Sequence, residues 1–339
     1  MRSREVSGAD VDGLMVHGGR LDEAGRRFPA APLPWLDLST GINPWPWDGA
    51  TAAIDLRRLP SPDELAALER AAAESFGVGS TAIAALPGSE IGLRLLAPAG
   101  VPAPYHVVAP GYRTHAEALP GARAITPAEL DAAAETGGTI LLANPNNPDG
   151  RTIAPERLLA LAATLATRGG WLVIDEAFAD AAPPCSILPH LHGDEPVVVM
   201  RSFGKFFGLA GVRLGFACGH PTMVEAIRAR LGSWPISATA IAVGTAAYRD
   251  RAWAATMRAG LVDAVAGLDA MLHSHGFDPV GDSPLFRLIA TDDAATLFMR
   301  LASAGILTRR FDYASGWLRL GLPDGPAALA RLDAALRDS

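Results

Sequence analysis

Short apolar runs recur along the first two thirds of the chain at His106–Ala109, Thr139–Ala143, Trp171–Ile174 and Val197–Met200. Each is four or five residues long, rich in β-branched side chains and flanked by turn formers. Runs of this kind predict buried strands of a mainly parallel sheet. Val212–Ala217 is a further strand candidate. Between the runs the period changes. Pro62-Asp63-Glu64 opens a helix with Leu65, Leu68, Ala72 and Phe76 on one stripe, and Pro155-Glu156 opens another that runs to about Arg168. Strand and helix signals thus alternate, which predicts an α/β sheet covered by helices on both faces.

After Pro235 the pattern changes. Ser237–Gly276 reads as long helical segments with few breakers. It is followed by a strand at Leu285–Ala290, a helix at Asp293–Ala304, a strand at Trp317–Leu320 and a helix from Gly325. The predicted organisation is an N-terminal arm at 1–45, a large domain at 46–235, connecting helices at 236–276 and a smaller α+β C-terminal domain at 277–339. The arm carries Pro, Gly and Trp without a period and is expected to lie over another surface.

Composition narrows the function. The 339 residues hold 29 Lys+Arg against 36 Asp+Glu, a formal charge of −7, which argues against nucleic-acid or anionic-membrane partners. The uncharged stretch Leu95–Tyr112 is interrupted by four prolines, and Leu231–Tyr248 is too weakly apolar, so neither predicts a membrane span. The opening MRSREVSGADVDG has charges where a signal peptide needs an apolar core, so the expected location is cytoplasmic. Cys185 and Cys218 are too few for a disulfide scaffold and read as packing residues, and His190 and His192 lack a third metal ligand and read as loop polarity. No metal is expected.

Of the 29 basic residues only one, Lys205, is a lysine. A guanidinium stays charged around neutral pH, whereas a desolvated ammonium can lose its proton and form a Schiff base, so a solitary lysine points to amine chemistry. Its setting, Arg201-Ser202-Phe203-Gly204-Lys205-Phe206-Phe207-Gly208, surrounds the amine with aromatics, which would lower its pKa. Ser202 and Arg213 stand three residues before and eight residues after it, where a hydroxyl and a guanidinium could hold one phosphate from two sides.

Ser-x-x-Lys followed by this Arg resembles the lysine segment of the pyridoxal-phosphate aminotransferase superfamily, fold type I, class I/II. Other parts follow in the order of that family. Asn144-Pro145-Asn146-Asn147-Pro148-Asp149-Gly150 resembles its N-P-x-N-P-T-G turn, and Asp175-Glu176-Ala177-Phe178 resembles D-E-A-Y. The resemblance implies pyridoxal 5′-phosphate as cofactor, bound covalently by Lys205. Asn147 would hydrogen-bond the ring hydroxyl and Asp175 the pyridine nitrogen. Tyr112 would stack on the ring, and Gly88, Ser89 and Glu90 at a helix start would cradle the phosphate with Ser202 and Arg213. Trp317-Leu318-Arg319-Leu320 resembles the strand whose arginine grips the substrate α-carboxylate. The family forms homodimers, so a homodimer is implied.

Three departures stand out. Phe178 replaces a tyrosine and removes a hydrogen bond to the ring oxygen, Gly204 replaces a common serine, and Leu59 stands where relatives carry a tyrosine that reaches the partner's cofactor phosphate. Within the superfamily, His17-Gly18-Gly19-Arg20 and Leu36–Pro44, which includes Asn43, look like the arm of the threonine-phosphate decarboxylases of cobalamin biosynthesis. Histidinol-phosphate aminotransferases are the alternative. Both take phosphorylated amino compounds. Arg309 (ahead of Arg310) and His17 with Gly18 and Gly19 are therefore the candidates for the substrate phosphate, and a phosphorylated small amino acid is the expected substrate. A non-catalytic binder on this fold is the remaining class; the intact Lys205, Asp175 and Asn147 argue against it.

Overall fold

The computed structural model describes residue 14 and residues 17–51, 53–79 and 81–337. The stretch read for a leader, 1–13, lies outside them. Among the described residues twelve strands follow in chain order: β1 Leu36–Asp37, β2 Ala82–Leu86, β3 Tyr105–Val108, β4 Arg123–Ile125, β5 Thr139–Ala143, β6 Trp171–Asp175, β7 Val197–Ser202, β8 Gly215–Gly219, β9 Phe286–Ala290, β10 Ile306–Leu307, β11 Arg309–Phe311 and β12 Ala314–Gly321. Two compact units result. One is Pro46–Arg258, and the other joins the described residues up to Trp45 with those from Ala259 on.

In the first unit seven strands form one sheet in the order β2-β8-β7-β6-β5-β3-β4. All pairs from β4 to β7 are parallel, and β8 runs antiparallel to both β7 and β2. The four apolar runs are the central strands, buried on both faces as their lack of polar alternation demands. Leu141, Val173 and Val198 pack on Leu93 and Leu96 of the helix Ser89–Ala99 and on Ile227 of the helix Pro221–Leu231. Ile140, Leu172, Ile174 and Val199 alternate with them and are equally buried on the opposite face, where the helix Pro155–Thr167 packs on β6. This is the fold type I α/β architecture. Among the described residues no helix is long and apolar enough to cross a membrane.

One local expectation is corrected. The strand predicted at Val212–Ala217 begins at Gly215, because Ala210–Val212 is a 3-10 turn and Arg213 adopts a left-handed backbone, φ 57°. The long helical segments read from Ser237 on are the helices Ala238–Arg249 and Arg251–Ser274, separated at Asp250.

The second unit contains the antiparallel sheet β11-β12-β9 and the parallel pair β1-β10. Segment 1–45, expected as a separate arm, has its described part built into this unit. β1 pairs with β10, Leu38 N–H donates to the Leu307 carbonyl, and Gly321 N–H donates to the Leu38 carbonyl. The expected connector 236–276 does not stand alone either, since the boundary between the units falls at Arg258. Backbone pairing builds the first segment into its unit, and the helix Arg251–Ser274 runs through the second boundary, so its residues divide between the units.

Candidate active site

In the parallel part of the first sheet, side chains that carry chemistry collect where strands end, the usual place for a site in an open α/β sheet. β6 ends on Asp175, β7 on Ser202, and β5 leads directly into Asn144–Asn147. β8 runs the opposite way, so Arg213 at its entry reaches the same edge. Together they line a cavity of about 160 Å³ to which Gly88, Ser89, Glu90, Tyr112, Asn147, Asp175, Phe178, Ser202, Lys205 and Arg213 all contribute. All ten positions that the sequence associates with the cofactor therefore meet in one place.

Lys205 lies in the single-turn helix Phe203–Phe206 and is half-buried. Phe203, Phe206 and Phe207 anchor this turn from below, packing against Tyr248 and Trp253. The aromatic run flanking the lysine is thus a platform, while the amine faces the cavity, 5.7 Å from the centre of the Phe178 ring.

Asp175 is buried, 5% exposed. One carboxylate oxygen, Oδ1, accepts from the Ala177 N–H at 3.2 Å, and the other, Oδ2, lies 3.1 Å from His115 Nε2. His115, on the helix Arg113–Ala118, also stands edge-on to Tyr112, ring centres 5.7 Å apart. It therefore positions both the carboxylate and the aromatic. Burial pushes the Tyr112 hydroxyl above its ordinary range, so the phenol stays protonated. Nothing in the sequence marked His115. It stands beside no motif, and only the packing of its helix brings it to Asp175.

The helix Ser89–Ala99 starts in the cavity wall without a side-chain cap. Its N-cap Gly88 has φ 96°, a region that favours glycine, and a Cβ there would stand 2.6 Å from Arg213 Nη2. Gly215 is pressed as closely: its Cβ would fall 2.5 Å from the Ser89 backbone nitrogen. The uncapped amides and the guanidinium thus line the same wall, an arrangement whose electrostatics favour an anion. Glu90 turns its carboxylate to Arg94, at 2.9 Å, which leaves its backbone as the group it can offer to an anion.

The other predicted positions belong to the second unit. Arg319, on β12, is only 6% exposed, lies 5.0 Å over the Phe286 ring and donates from Nη2 to the Ser39 carbonyl at 2.8 Å. Burial, reinforced by the like charge of Arg309, lowers its pKa to about 10. Arg309 shares its face of the sheet, whereas Arg310 points to the other face, over Phe298. Ser39 is the hub that links the arm to this arginine. Its Oγ accepts from Gly19 N–H at 2.7 Å, and Gly18 approaches so closely that a Cβ would lie 2.4 Å from the Ser39 carbonyl oxygen. His17 is exposed, and Asn43 is buried with Oδ1 accepting from the Trp45 N–H.

Comparison with known proteins shows the family of the chain. The model of the family described as aminotransferase class I and II matches residues 122–332. A threonine-phosphate decarboxylase from Pseudomonas aeruginosa is 42% identical over 328 residues, covering 95% of this chain and 97% of the relative. Another, from Sinorhizobium sp, is 40% identical over 329 residues, again covering 95% and 97%. Among solved structures, histidinol-phosphate aminotransferase from Sinorhizobium meliloti in complex with pyridoxal-5′-phosphate superposes with a TM-score of 0.79 at 23% identity, covering 100% of this chain and 98% of that one. At that identity the likeness is one of fold.

Proposed function

Because the chain belongs to the aminotransferase class I and II family, we propose that it is a pyridoxal-phosphate-dependent carboxy-lyase. Its reaction is the decarboxylation of L-threonine O-3-phosphate to (R)-1-amino-2-propanol O-2-phosphate, a step of cobalamin biosynthesis. The observation that carries this reading is the near-complete alignment with two decarboxylases of that name.

The residues present fit the cofactor. The cradle formed at Gly88 and Gly215, with Arg213, Ser89 and Ser202, suits a phosphate dianion. Asp175, held by His115, suits a protonated pyridine nitrogen, and Asn147 suits the ring hydroxyl. Tyr112 and Phe178 supply aromatic walls, and Lys205 is the amine that would hold the aldehyde carbon. When bound, the cofactor supplies a sink for the electrons of the bond broken at the substrate Cα.

The chain's own groups do the rest. Arg319 takes the α-carboxylate, as the family resemblance implies, and Arg309 the substrate phosphate; that both stand on one face of the sheet supports this reading. The carboxylate leaves as CO2, its bonding electron pair stays with Cα, and Lys205 is assigned as the acid that delivers the replacing proton. His17, Gly18, Gly19 and Asn43 complete the substrate side of the reading, with Gly18 and Gly19 acting through Ser39. The reading extends to a cytoplasmic homodimer. Free, buried Cys185 and Cys218 agree with a reducing compartment, and gel filtration with light scattering reports the oligomer.

Incubation with O-phospho-L-threonine tests the function. Release of CO2 with an amine product is expected. A keto acid formed at the expense of an amino donor would assign a histidinol-phosphate-type aminotransferase instead. Lys205→Ala is expected to lose the visible absorbance band of the bound cofactor.

A further inference from the structure

Beneath the cavity lies a cluster of charge that the reaction above does not use. Arg201, Glu176 and Asp180 are all buried, each within 3% of complete side-chain coverage. Arg201 Nη1 donates to Glu176 Oε2 at 2.8 Å and lies 3.3 Å from Ser186 Oγ, while Nη2 donates to Asp180. Glu176 also accepts from the Ser186 hydroxyl at 2.6 Å and the Ile187 N–H at 2.8 Å. The guanidinium rests 4.3 Å over the Phe76 ring.

Position in the chain gives this cluster its meaning. Successive residues of a strand point to opposite faces. Ser202 and Asp175 line the cavity, and their neighbours Arg201 and Glu176 point away from it into the protein. The ladder between β6 and β7 continues to the Glu176 N–H, which donates to the Met200 carbonyl. Beyond that point the two chains part, one towards Phe178 and the other towards Lys205. The Arg201–Glu176 pair continues the connection where the backbone ladder stops. Asp180 adds the loop that carries Ala177 and Phe178, and its carbonyl accepts from Arg258 Nε at 2.8 Å.

We propose that Arg201 is a positioning residue, clamping the Asp175–Phe178 segment to the Ser202–Lys205 segment so that carboxylate, aromatic wall and amine keep their mutual geometry. The inference rests on the cofactor reading given above. One guanidinium meeting two carboxylates, Glu176 and Asp180, at two points of the loop after β6 needs separate N–H groups in a rigid fork, which an ammonium lacks. An error of about 1 Å at such a site costs up to ~10²-fold.

Arg201→Lys keeps the charge and loses the fork. Two readouts on the holoenzyme test it: the rate at which the visible band decays after dilution, and the pH midpoint of that band. Cofactor release about tenfold faster with a displaced midpoint is expected. Leu161→Ala, a core cavity in the helix Pro155–Thr167, serves as the control and should lower the melting temperature while leaving both readouts unchanged. If Arg201→Lys does not fold, the near-isosteric Asp180→Asn decides, with faster release again expected. A folded variant of either kind that releases and titrates like the parent would overturn the proposal. A parent protein that shows no visible band with added pyridoxal phosphate would instead overturn the cofactor reading.

Discussion

Arg309 and Arg319 stand directly opposite each other on the antiparallel strands β11 and β12. Two guanidinium groups on one sheet face repel, a cost of roughly 0.2–1 kcal/mol for an opposed like-charge pair. A ligand carrying two anionic groups removes that cost, and O-phosphothreonine carries a carboxylate and a phosphate. Arg309→Gln relieves that repulsion but gives up the bond from Arg309 Nη1 to the Leu14 carbonyl at 3.1 Å, so the stability of the ligand-free protein should change by no more than about 1 kcal/mol. The variant should raise the KM for O-phosphothreonine far more than the affinity for unphosphorylated threonine falls. Urea melts and steady-state kinetics with the two amino acids check both halves.

Arg319 itself predicts a pH dependence. Its pKa in the folded protein is lowered to about 10 by burial and by Arg309. The native state therefore gives up this proton at a lower pH than the unfolded chain, and the cost of the buried charge is fully present below about pH 10. As pH rises through that value the cost is relieved, because the unfolded chain then holds the extra proton. Relative to Arg319→Gln, the parent should gain stability between pH 8 and pH 10.5, as read from urea midpoints of the pair. At neutral pH the same variant should lose roughly 10–100-fold in kcat/KM, the worth of a hydrogen bond between charged groups.

Gly18 gives a prediction about aim and not charge. A methyl group there would meet the Ser39 carbonyl oxygen at 2.4 Å, and a backbone carbonyl cannot step aside cheaply. That carbonyl accepts from Arg319. Gly18→Ala should cost about 1–3 kcal/mol of stability and raise KM for the phosphorylated substrate, with cofactor affinity unchanged. Parallel titrations of substrate and of pyridoxal phosphate separate the two effects.

Much of this was legible in the residues before any coordinates. Thr139–Ala143 is β5 without adjustment, because a short β-branched run between turn formers has few alternatives. Lys205 could be named as the one lysine, and Asp175, Asn147 and Arg213 by the motifs they share with the aminotransferase family; the four line one cavity. β2 was not legible. Ala82-Ile83-Ala84-Ala85-Leu86 is made of helix formers, and it is a strand because β8 pairs with it along its whole length. The same limit explains Ser39 and Arg201, whose importance lies in partners 280 residues away for one and 21 and 25 away for the other. A motif records what touches a ligand; it does not record what holds the motif in place.

His115 is the sharpest instance of that limit. Asp175 is a buried carboxylate, and its Oδ2 depends on the imidazole at 3.1 Å while Oδ1 is served by a backbone amide. Replacing His115 with Ala leaves that oxygen without its partner in a place water reaches poorly, a loss of about 1–3 kcal/mol. The Tyr112 ring loses its edge-on neighbour in the same step. Thermal melts of His115→Ala should show the destabilisation, and pyridoxal phosphate should bind more weakly, because the carboxylate meant for the pyridine nitrogen is no longer held in place. His115→Gln can still present an amide donor to Asp175, so it should recover most of the cofactor affinity and little of the ring packing. Equal affinities for the parent and the alanine variant, measured by the absorbance of bound cofactor, would remove His115 from the site.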